Sequence, residues 1–344
     1  MDTISRIVGV ELDTRLAKMR VVVTGGCGYI GSHVARAFTQ HGAEVFVIDR
    51  ERREHTLKHI KHFRHDDFAS TGSLSLIRDY EPDYIVHCAG TSLVGPSVTD
   101  PGEYYDNNIS KTIQMLNSLR DLPVKPTIMF SSSASVYGEP ETVPIPETAR
   151  LDPISPYGNT KYLTEVILGD YARAYGIASI CFRYFNAAGA EPDAFDLGQE
   201  PNATHIVARV LEASMLNQQF TLNGDDYPTP DGSCIRDYVH VQDIAQAHIC
   251  GAEYLETARP DPSCHIFNLG TNTGISNWEI VNFVKEKYGL PKFAVSERRA
   301  GDPAQLIADA TRAKETLQWI PEYSFLDTIV TTAHHWYLTS LTKH

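Results

Sequence analysis

The chain alternates between two hydrophobic patterns along most of its length. Short runs of consecutive apolar residues, many of them β-branched or aromatic, are separated by longer stretches in which apolar residues recur every three to four positions. The runs are RVVVTGG, AEVFVIDR, HFRHDDF, PDYIVHCAG, KPTIMFSSS, ASICFRYFN and CHIFNLG, and SHVARAFTQHG is one of the intervening helical stretches. Apolar strands that alternate with helices predict an α/β fold with a doubly wound parallel sheet of the Rossmann type.

The pattern loosens after Asn186 into loops rich in Gly, Pro and Asp, such as GDDYPTPDGS. We therefore expect a second, smaller α/β lobe for the substrate, built from residues 187–237 and 271–344. The first lobe would comprise residues 19–186 and 238–270, with a strand near 265–269 returning to its sheet. Residues 1–18 are expected to form an N-terminal extension outside the fold proper.

The charge balance limits the class of partner. The 344 residues include 30 basic and 43 acidic side chains, a formal net charge of −13, and no long run of Lys or Arg. This balance argues against nucleic acid or an anionic membrane as the partner. No apolar stretch approaches the roughly 18 residues of a membrane span, and the N-terminal segment lacks the long apolar region of a signal peptide. Six cysteines without CxxC spacing predict reduced thiols and a cytoplasmic protein.

Four histidines lie close together in REHTLKHIKHFRH, namely His55, His59, His62 and His65. Their neighbours are mainly Lys and Arg, and not the cysteines or carboxylates that complete a defined metal site. We therefore expect a solvated basic helix here and no metal site.

A glycine triplet marks a candidate dinucleotide site. Gly25, Gly28 and Gly31 of TGGCGYIGSH lie between a predicted strand and a predicted helix. Glycine at such positions lets the backbone approach a pyrophosphate at the positive end of the helix. A tight strand-to-helix turn without a ligand is the other explanation of the triplet.

Asp49, at the end of the next predicted strand, favours NAD as the dinucleotide. A carboxylate there can bind the ribose 2′-hydroxyl of NAD, and it repels the 2′-phosphate of NADP. The following residues 50–53, RERR, leave NADP open as the alternative, because a flexible arginine can accommodate that phosphate.

Tyr157 and Lys161 form the second candidate feature. Ser155 is a good N-cap, Pro156 suits the first helical position, and YLTEVILGDYARAYG continues at helical period to a glycine stop. Residues four apart on a helix touch, so Lys161 should lie beside the Tyr157 ring. The alternative is a packing tyrosine with a neighbouring lysine. A second Tyr-x3-Lys match, in YGLPK, contains a proline that forbids a helix interior, so its side chains need not share a face.

The GxxGxxG spacing, the serine run SSSASVYG and the Tyr157–Lys161 pair together resemble the extended short-chain dehydrogenase/reductase superfamily. The resemblance implies an acid/base dyad beside a nicotinamide, with Ser133 hydrogen-bonded to the same substrate hydroxyl. A free tyrosine has a pKa near 10, so a neutral-pH base needs that pKa lowered by roughly 3 units. Lys161, the nicotinamide charge and the helix N-terminus could each lower it.

Relatives that dehydrate or decarboxylate nucleotide sugars carry extra acids directly after this serine, because loss of water or a carboxylate needs further acid/base groups. Ala134 and Ser135 occupy those positions here. The difference favours an enzyme that only oxidises and re-reduces its substrate.

Further motifs are similar to those of the UDP-glucose 4-epimerase family, in the same order, from about residue 20 to residue 337. They include HCAGTSLVGPSVTDPGEYYDNN, RYFNAAGA, IRDYVHVQDIAQAH, FNLGT and RRAGD. The resemblance implies a UDP-sugar substrate, bound NAD, a 4-keto intermediate and a homodimer built on two helices of the first lobe. The rival functions are a dehydratase, decarboxylase or reductase of the same superfamily, and a non-catalytic NAD-binding sensor.

The resemblance also implies the residues of the site, with Ser133, Tyr157 and Lys161 as catalytic. The implied cofactor-binding residues are Gly25, Gly28, Tyr29, Ile30, Gly31, Asp49, Asp67, Phe68, Cys88, Ala89, Gly90, Ser92, Asn107, Ser131, Tyr157, Lys161, Tyr184 and Phe185. The implied substrate-binding residues are Ser133, Tyr157, Asn186, His205, Ile206, Thr221, Leu222, Asn223, Arg236, Arg299, Asp302 and Leu306.

Two of these residues depart from the family pattern. Asn223 stands where the family commonly has an aromatic residue ahead of the glycine. Leu306 stands where some members have a bulky aromatic residue at the wall nearest the sugar C2 substituent. Because leucine is smaller than tyrosine and apolar, it leaves space for an acetamido methyl group, and we expect N-acetylated UDP-sugars as further substrates.

Overall fold

The computed structural model describes residues 16–193, 196–199, 204–290, 292–298 and 302–341. The expected N-terminal extension falls mostly on residues 1–15, which lie outside the described residues. Leu16, the first described residue, is fully buried in the same apolar cluster as Val34 and Phe38. The boundary expected at residue 18 stays a prediction.

The strands, numbered along the chain, are β1 (Arg20–Thr24), β2 (Glu44–Asp49), β3 (His62–His65), β4 (Tyr84–His87), β5 (Thr127–Ser133), β6 (Ser179–Tyr184), β7 (Asn186–Ala188), β8 (Gln219–Asn223), β9 (Ile235–Arg236), β10 (Tyr238–His240), β11 (Cys264–Leu269), β12 (Ile275–Ser276), β13 (Lys292–Ser296) and β14 (Gln305–Leu306). Among the described residues, seven of them form one parallel sheet in the order β11-β6-β5-β4-β1-β2-β3. The sheet confirms the predicted doubly wound fold, and β11 returns to it beside β6 as expected.

The α-helices are α1 (Tyr29–Gln40), α2 (Glu54–Leu57), α3 (Thr71–Tyr80), α4 (Val94–Thr99), α5 (Pro101–Tyr105), α6 (Lys111–Leu119), α7 (Pro156–Tyr175), α8 (Ile206–Met215), α9 (Val241–Ala258), α10 (Asn277–Tyr288), α11 (Thr311–Leu317) and α12 (Leu326–Leu341). A π-helical turn at Asp106–Ser110 precedes α6, and a 3-10 turn at Ala134–Val136 follows β5. Helices α1 and α9 share one apolar cluster with the central strands. Helices α6 and α7 share a second cluster with them. Strands β4 and β6 are consequently buried along their whole length, as their continuous apolar runs predict.

The order of the parallel strands reverses at the boundary between β1 and β4. From β1 the chain continues to strands on one side of the sheet, and from β4 it continues to strands on the other side. The two connections therefore diverge, and a crevice opens at the carboxyl ends of β1 and β4. The glycine loop follows β1, and residues 88–90 follow β4, so the sheet places both segments at this crevice. It is the position at which doubly wound sheets bind ligands.

The remaining strands form smaller sheets. β7 pairs with β10, β8 pairs with β13, and β9 lies between β12 and β14. Helices α8, α10 and α12 share one apolar cluster that includes Leu211, Val284 and Trp336. Helix α11 packs instead in a cluster with Phe182 and Phe267 of the large sheet. The proposed division into two lobes, at residues 186/187, 237/238 and 270/271, stays a prediction.

The histidine-rich stretch does not form the single basic helix that its sequence suggested. Helix α2 ends at Leu57, and His62 and His65 lie in strand β3. Strand β3 pairs in parallel with β2 at the edge of the sheet. Phe63 packs against the apolar cluster that contains Val34 and Phe38. In the described part of the chain, no group of three His, Cys, Asp or Glu side chains is placed to hold a metal ion. Likewise, none of the helices described is both long and apolar enough to cross a membrane.

Candidate active site

The glycine loop brings its backbone directly against the loop after β4. Gly25 has a φ of +71°, and a Cβ on this residue would lie 2.6 Å from the backbone nitrogen of Ala89. A Cβ on Gly31 would lie 2.2 Å from the carbonyl oxygen of Gly25. Gly28 is the N-cap of α1, where it leaves space at the positive end of the helix. The loop therefore fits a dinucleotide pyrophosphate.

Asp49 at the end of β2 is oriented by two backbone hydrogen bonds. Its Oδ2 atom accepts one from the N–H of Cys27, at 2.8 Å, and its Oδ1 atom accepts one from the N–H of Glu51, at 2.9 Å. A carboxylate oxygen has two acceptor positions, so both oxygens can still accept from ribose hydroxyls. This geometry fits the adenosine ribose of NAD.

Asp67 and Phe68, which follow β3, and Asn107, in the π-helical turn before α6, line the same crevice. Phe68 is buried edge-on against His87, with ring centroids 5.0 Å apart. Lys111 donates hydrogen bonds to Asp67 and to Asn107, each at 2.8 Å. These contacts hold the two segments together where Asp67, Phe68 and Asn107 line the cleft.

Tyr157 and Lys161 lie in the first turns of α7, as the sequence predicts. The Ser155 side chain caps the helix by accepting a hydrogen bond from Gly158 N–H at 3.1 Å, and Pro156 is the first helical residue. The Lys161 ammonium lies 5.6 Å from the Tyr157 ring centroid and donates to the Ser131 carbonyl at 2.7 Å. By contrast, Tyr288 ends α10 and Lys292 begins β13, so the second Tyr-x3-Lys match does not share a helix.

Burial changes the acid/base properties of the dyad. It raises the pKa of Tyr157 to about 12, and a hydrogen bond with Ser133 opposes that rise. Burial also lowers the pKa of Lys161 to about 8, so this ammonium is still charged at neutral pH. The protein alone thus keeps Tyr157 neutral, and a phenolate requires additional positive charge beside it, such as a nicotinamide ring.

These elements border one cleft of about 650 Å³. All the predicted cofactor-binding residues line it, from the glycine loop through Asp49, Asp67, Phe68, Cys88, Ala89, Gly90, Ser92, Asn107 and Ser131 to Tyr184 and Phe185. Six predicted substrate-binding residues line the same cleft, namely Ser133, Tyr157, Asn186, His205, Arg236 and Leu306. The fold therefore joins the predicted dinucleotide-binding and substrate-binding residues in a single space, which the dyad also lines.

The other predicted substrate residues are placed differently. Ile206 lines a small adjoining cavity beside His205, and Asp302 accepts a hydrogen bond from the Arg236 guanidinium at 2.6 Å. The 221–223 segment forms part of β8, where Leu222 is 1% exposed and packs its side chain into the core. Contact from Leu222 to a ligand must therefore come from its backbone. Arg299 lies outside the described residues.

Comparison with known proteins agrees with this geometry. The model of the NAD dependent epimerase/dehydratase family matches residues 21–270. The chain belongs to this family. It is 40% identical, over 325 residues, to a UDP-glucose 4-epimerase of Halalkalibacterium halodurans, an alignment that covers 93% of this chain and 96% of the relative.

Solved structures of 4-epimerases superpose on nearly the whole epimerase/dehydratase chain. One is the UDP-glucose-4-epimerase from Stenotrophomonas maltophila with bound NAD and formylated UDP-arabinopyranose, with a TM-score of 0.88, 31% identity and coverage of 95% of this chain and 100% of that one. Another is the UDP-Glc/GlcNAc 4-epimerase from Campylobacter jejuni, with a TM-score of 0.80, 33% identity and coverage of 93% and 99%. The expected resemblance and the expected fold are confirmed.

A buried ion pair joins α7, the helix that carries Tyr157 and Lys161, to strand β6. Arg183 donates two hydrogen bonds to Glu165, at 2.6 and 3.0 Å, and both side chains are at most 5% exposed. Ser132 donates to the same carboxylate at 2.5 Å. Because Glu165 lies one turn after Lys161, the pair connects the helix of the dyad to the strands that carry Ser132 and Tyr184.

Sequence reasoning did not assign several residues that line the cleft. Gln199 comes from the loop after β7, and Glu51 comes from the segment after β2. Ser135 also lines the cleft and donates a hydrogen bond to the Ser133 hydroxyl at 2.8 Å. The sequence alone indicates only that Ser135 is a position without an acid. The serine run itself was the signal, since consecutive hydroxyls at a strand end often hydrogen-bond one another locally.

Proposed function

We propose that this chain interconverts UDP-galactose and UDP-glucose by oxidising and re-reducing C4 of the sugar beside bound NAD. The observation that carries the proposal is a single cleft that the Tyr157–Lys161 dyad and Ser133 line together with the glycine loop and Arg236. Ala134 and Ser135 supply no acid for dehydration, which disfavours the rival lyase reactions. NAD bound by the residues of this cleft would supply the two-electron acceptor that such a reaction requires.

In this mechanism Tyr157 takes the proton of the 4-hydroxyl group and later returns it. Ser133 hydrogen-bonds the same hydroxyl and, through its contact with Tyr157, favours the phenolate. Lys161 keeps a positive charge near the ring, and its hydrogen bond to the Ser131 carbonyl fixes the position of that charge. Holding acid, base and substrate together removes most of the entropic cost of the proton transfer.

Return of hydride to the other face requires the 4-keto sugar to turn while the UDP stays bound. Arg236 lines the cleft and is held by Asp302, so its guanidinium is oriented before a diphosphate arrives. The sugar end is bordered by the apolar side chain of Leu306, which offers no polar group to fix one sugar orientation. Tight contacts to UDP and few to the sugar allow the turn without loss of substrate.

The N-acetylated sugar pair is a further proposed substrate. Leu306 is half-buried at the sugar end of the cleft, beside Arg236 in the β14–β9 pairing. Its side chain is smaller than an aromatic ring and leaves an apolar wall for an acetamido methyl group. The Campylobacter jejuni neighbour, a UDP-Glc/GlcNAc 4-epimerase, shows that this fold accommodates the larger sugar in another member.

A cytoplasmic homodimer is the assembly that we propose. Large apolar side chains are exposed on the side of α4 and α7, with Val98 at 65%, Val94 at 49%, Val166 at 43% and Leu163 at 39%. Helices α4 and α7 are in contact, so two copies could pack these faces into a four-helix interface. None of the six cysteines forms a disulfide, which is compatible with a reducing compartment. Sedimentation of the purified protein should give twice the 38.3 kDa chain mass.

The direct test gives purified protein UDP-galactose without added nicotinamide. We expect UDP-glucose to form, because the net reaction leaves the cofactor oxidised and the cofactor need not leave the cleft. Formation of a dehydrated or decarboxylated sugar, or stoichiometric consumption of a nicotinamide, would instead identify one of the rival enzymes. Bound dinucleotide without turnover would identify a sensor.

A further inference from the structure

The end of β5, residues 131–133, contacts helix α7 at three positions. The carbonyl of its first serine accepts a hydrogen bond from Lys161 at 2.7 Å, and the side chain of its third serine hydrogen-bonds Tyr157. The hydroxyl of Ser132, between them, donates to Oε1 of Glu165 at 2.5 Å. One short strand end therefore carries both contacts to the dyad and a further contact to a carboxylate one turn along the same helix.

This strand end has a neighbouring strand on one side only. The pairing of β5 with β4 ends at Phe130, whereas its pairing with β6 continues to Ser133, which lies opposite Tyr184. Residues 131–133 consequently lack the second ladder of hydrogen bonds that fixes the middle of a parallel sheet. Their position depends more on the contacts that they make with α7.

Glu165 provides a fixed point for both strands. Ser132 and Arg183 lie opposite each other in the register of β5 and β6, and both donate hydrogen bonds to the Glu165 carboxylate. Arg183 also donates to the Tyr137 hydroxyl at 2.9 Å and to the Glu147 carbonyl at 3.1 Å, so its guanidinium is held from several sides. All three hydrogen-bonded side chains at the carboxylate are buried. The buried carboxylate is thus held in place independently of Ser132.

We propose that Ser132 and Glu165 are positioning residues, which hold the end of β5 against α7 so that Ser133 meets Tyr157. The inference rests on the proposed function and deepens it, because it names what aligns the groups that move the proton. Neither residue needs to touch the substrate. The hydroxyl hydrogen of Ser132 is directed to Glu165, and the carboxylate accepts only from Ser132 and Arg183 among the described side chains.

The hydroxyl hydrogen of Ser133 is the group that depends on this placement. The Ser133 oxygen accepts hydrogen bonds from the backbone N–H and the hydroxyl of Ser135, at 3.2 and 2.8 Å, so its own hydrogen remains for Tyr157. Burial raises the pKa of Tyr157, and the hydrogen bond with Ser133 opposes that rise because it favours the phenolate. Displacement of the strand end would weaken this bond and leave less of Tyr157 as a base.

S132A removes the contact to Glu165 and leaves the backbone of β5 unchanged. In the holoenzyme we expect kcat for UDP-galactose to fall by about tenfold, because a small misplacement of reacting groups is costly. KM should stay within about threefold of wild type, since the predicted contacts to UDP are left in place. Rates are expressed per bound dinucleotide, so that a smaller folded fraction does not count as a lower kcat.

T164V is the matched control. Thr164 precedes Glu165 on α7 and is equally buried, and its hydroxyl donates to the Thr160 carbonyl at 2.8 Å and contacts the Asn108 carbonyl at 3.4 Å. The variant therefore removes a buried hydroxyl from the same helix without touching β5. Its kcat should stay within about twofold of wild type, whatever its effect on stability.

The pH dependence distinguishes positioning from a loss of stability. A weaker hydrogen bond to the phenolate raises the pKa of Tyr157, so the acid limb of kcat should move to higher pH in S132A, by about one pH unit. The ionisable side chains that face Tyr157 are Lys161 on the same helix, Tyr104 of α5 and Tyr184 of β6, and S132A changes none of them. The ultraviolet absorbance of the phenolate, after subtraction of the Y157F signal, follows the same pKa without turnover.

E165L/R183M tests whether Ser132 acts through Glu165. This variant removes the acceptor without leaving a buried charge unpaired, and it should lower kcat by about tenfold itself. Addition of S132A should then lower kcat by less than about twofold, because the hydrogen bond is already lost. The acid limb of S132A decides the proposal even if the triple variant does not fold.

Three results would overturn the positioning role. The first is an S132A enzyme with the kcat and the acid limb of wild type. The second is an equal fall in kcat when S132A is added to wild type and to E165L/R183M, because Ser132 would then act independently of Glu165. The third is a loss of kcat in T164V as large as that in S132A.

The measurements also separate this inference from the proposed function. A wild type that converts no UDP-galactose contradicts the epimerase reaction. The absorbance titration of Tyr157 in wild type, S132A and T164V still decides the role of Ser132, because it requires no substrate. A Tyr157 pKa that is the same in all three proteins overturns the inference.

Discussion

At the scale of single residues, the buried position of Tyr157 and Lys161 opposes the charged states that the proposed mechanism requires of them. Burial is necessary to exclude water from the reacting groups, yet it stabilises the neutral phenol of Tyr157 and weakens the cation of Lys161. Ser133 opposes the first effect by its hydrogen bond to Tyr157. In the proposed mechanism Tyr157 would therefore act as a base only with a positive ring beside it, which would couple proton transfer to the presence of oxidised cofactor.

Replacement of Tyr157 by phenylalanine keeps the ring and removes the proton-transfer group. Turnover of UDP-galactose should fall by at least about 10²- to 10⁴-fold, while NADH binding stays within a few fold of wild type. Y288F is the matched control, because Tyr288 belongs to the other Tyr-x3-Lys match and ends α10 away from the cleft. Turnover of Y157F within tenfold of wild type would remove Tyr157 from the mechanism.

Leu306 should determine whether the larger sugar is accepted. In L306Y the added ring would fill the space proposed for the acetamido group, so turnover of UDP-N-acetylgalactosamine should fall far more than turnover of UDP-galactose. L306M is the control, since it keeps the volume and polarity and should retain both reactions. Equal losses of the two activities in L306Y, or a wild type inactive on the N-acetyl pair, would contradict this role.

At the scale of elements, the sequence predicts best where one strong pattern decides the structure. The buried strands β4 and β6 read as continuous apolar runs, and the caps of α7 stand at Ser155, Pro156 and Gly176. The two-residue strands β9, β12 and β14 carry too few residues for a period, and only tertiary pairing defines them. Tertiary pairing also defines β3, which forms an edge strand beside β2 although its basic sequence suggested a solvated helix.

The residues of the cleft, too, can be predicted from sequence where a strong local pattern decides their position. Its glycine loop, Asp49 and the dyad could be placed from local motifs, because each stands at the end of a predictable element. Glu51 and Gln199 could not, because their positions depend on how irregular segments turn back toward the cleft. The hydrogen bonds that pair Glu51 with Arg53 also depend on side-chain rotamers, which a charge pattern alone does not specify.

The Glu165–Arg183 pair connects three elements and should dominate their mutual stability. In E165Q, Arg183 loses its charged partner inside the protein, and the free energy of unfolding should fall by about 3 kcal/mol. The double variant E165L/R183M should recover part of that loss, because two apolar residues leave no buried charge unpaired. Denaturant unfolding measures both values.

D170N is the control for this pair on the same helix. Asp170 and Arg173 form an ion pair whose side chains are 62% and 73% exposed, so its loss should cost less than about 1 kcal/mol. If E165Q and D170N destabilise the protein equally, the buried pair has no special role in joining α7 to the sheet.

At the scale of the whole molecule, buried histidines make stability depend on pH. Burial lowers the pKa of His87 and of His240 to about 3, and that of His33 and of His248 to about 4. Each imidazole has a pKa near 6.5 in the unfolded chain. Between pH 6.5 and about 4 the unfolded chain therefore binds protons that the folded chain does not, and stability is lost as the pH falls.

Each such histidine contributes a slope of up to about 1.4 kcal/mol per pH unit in that range. Asp237 acts in the opposite sense, because burial raises its pKa to about 6 and the folded state then holds a proton that the unfolded state has released. Asp243 is shifted in the same direction by burial. We therefore expect the free energy of unfolding, measured with urea, to fall from pH 6.5 to pH 4.5. The slope should correspond to a net uptake of fewer than four protons on unfolding.

H248Q isolates one of these contributions. His248 lies in α9, where its Nδ1 atom hydrogen-bonds the Ile244 carbonyl at 2.9 Å and its Nε2 atom accepts from the Tyr184 hydroxyl at 3.0 Å. A glutamine amide can form similar hydrogen bonds but takes up no proton, so the slope of stability against pH should decrease by about one proton. The variant is also expected to be less stable at pH 8, where His248 is uncharged in either state, so the comparison uses slopes and not absolute values. An unchanged slope would contradict this prediction, because it would mean that the folded protein protonates His248 as readily as the unfolded chain does.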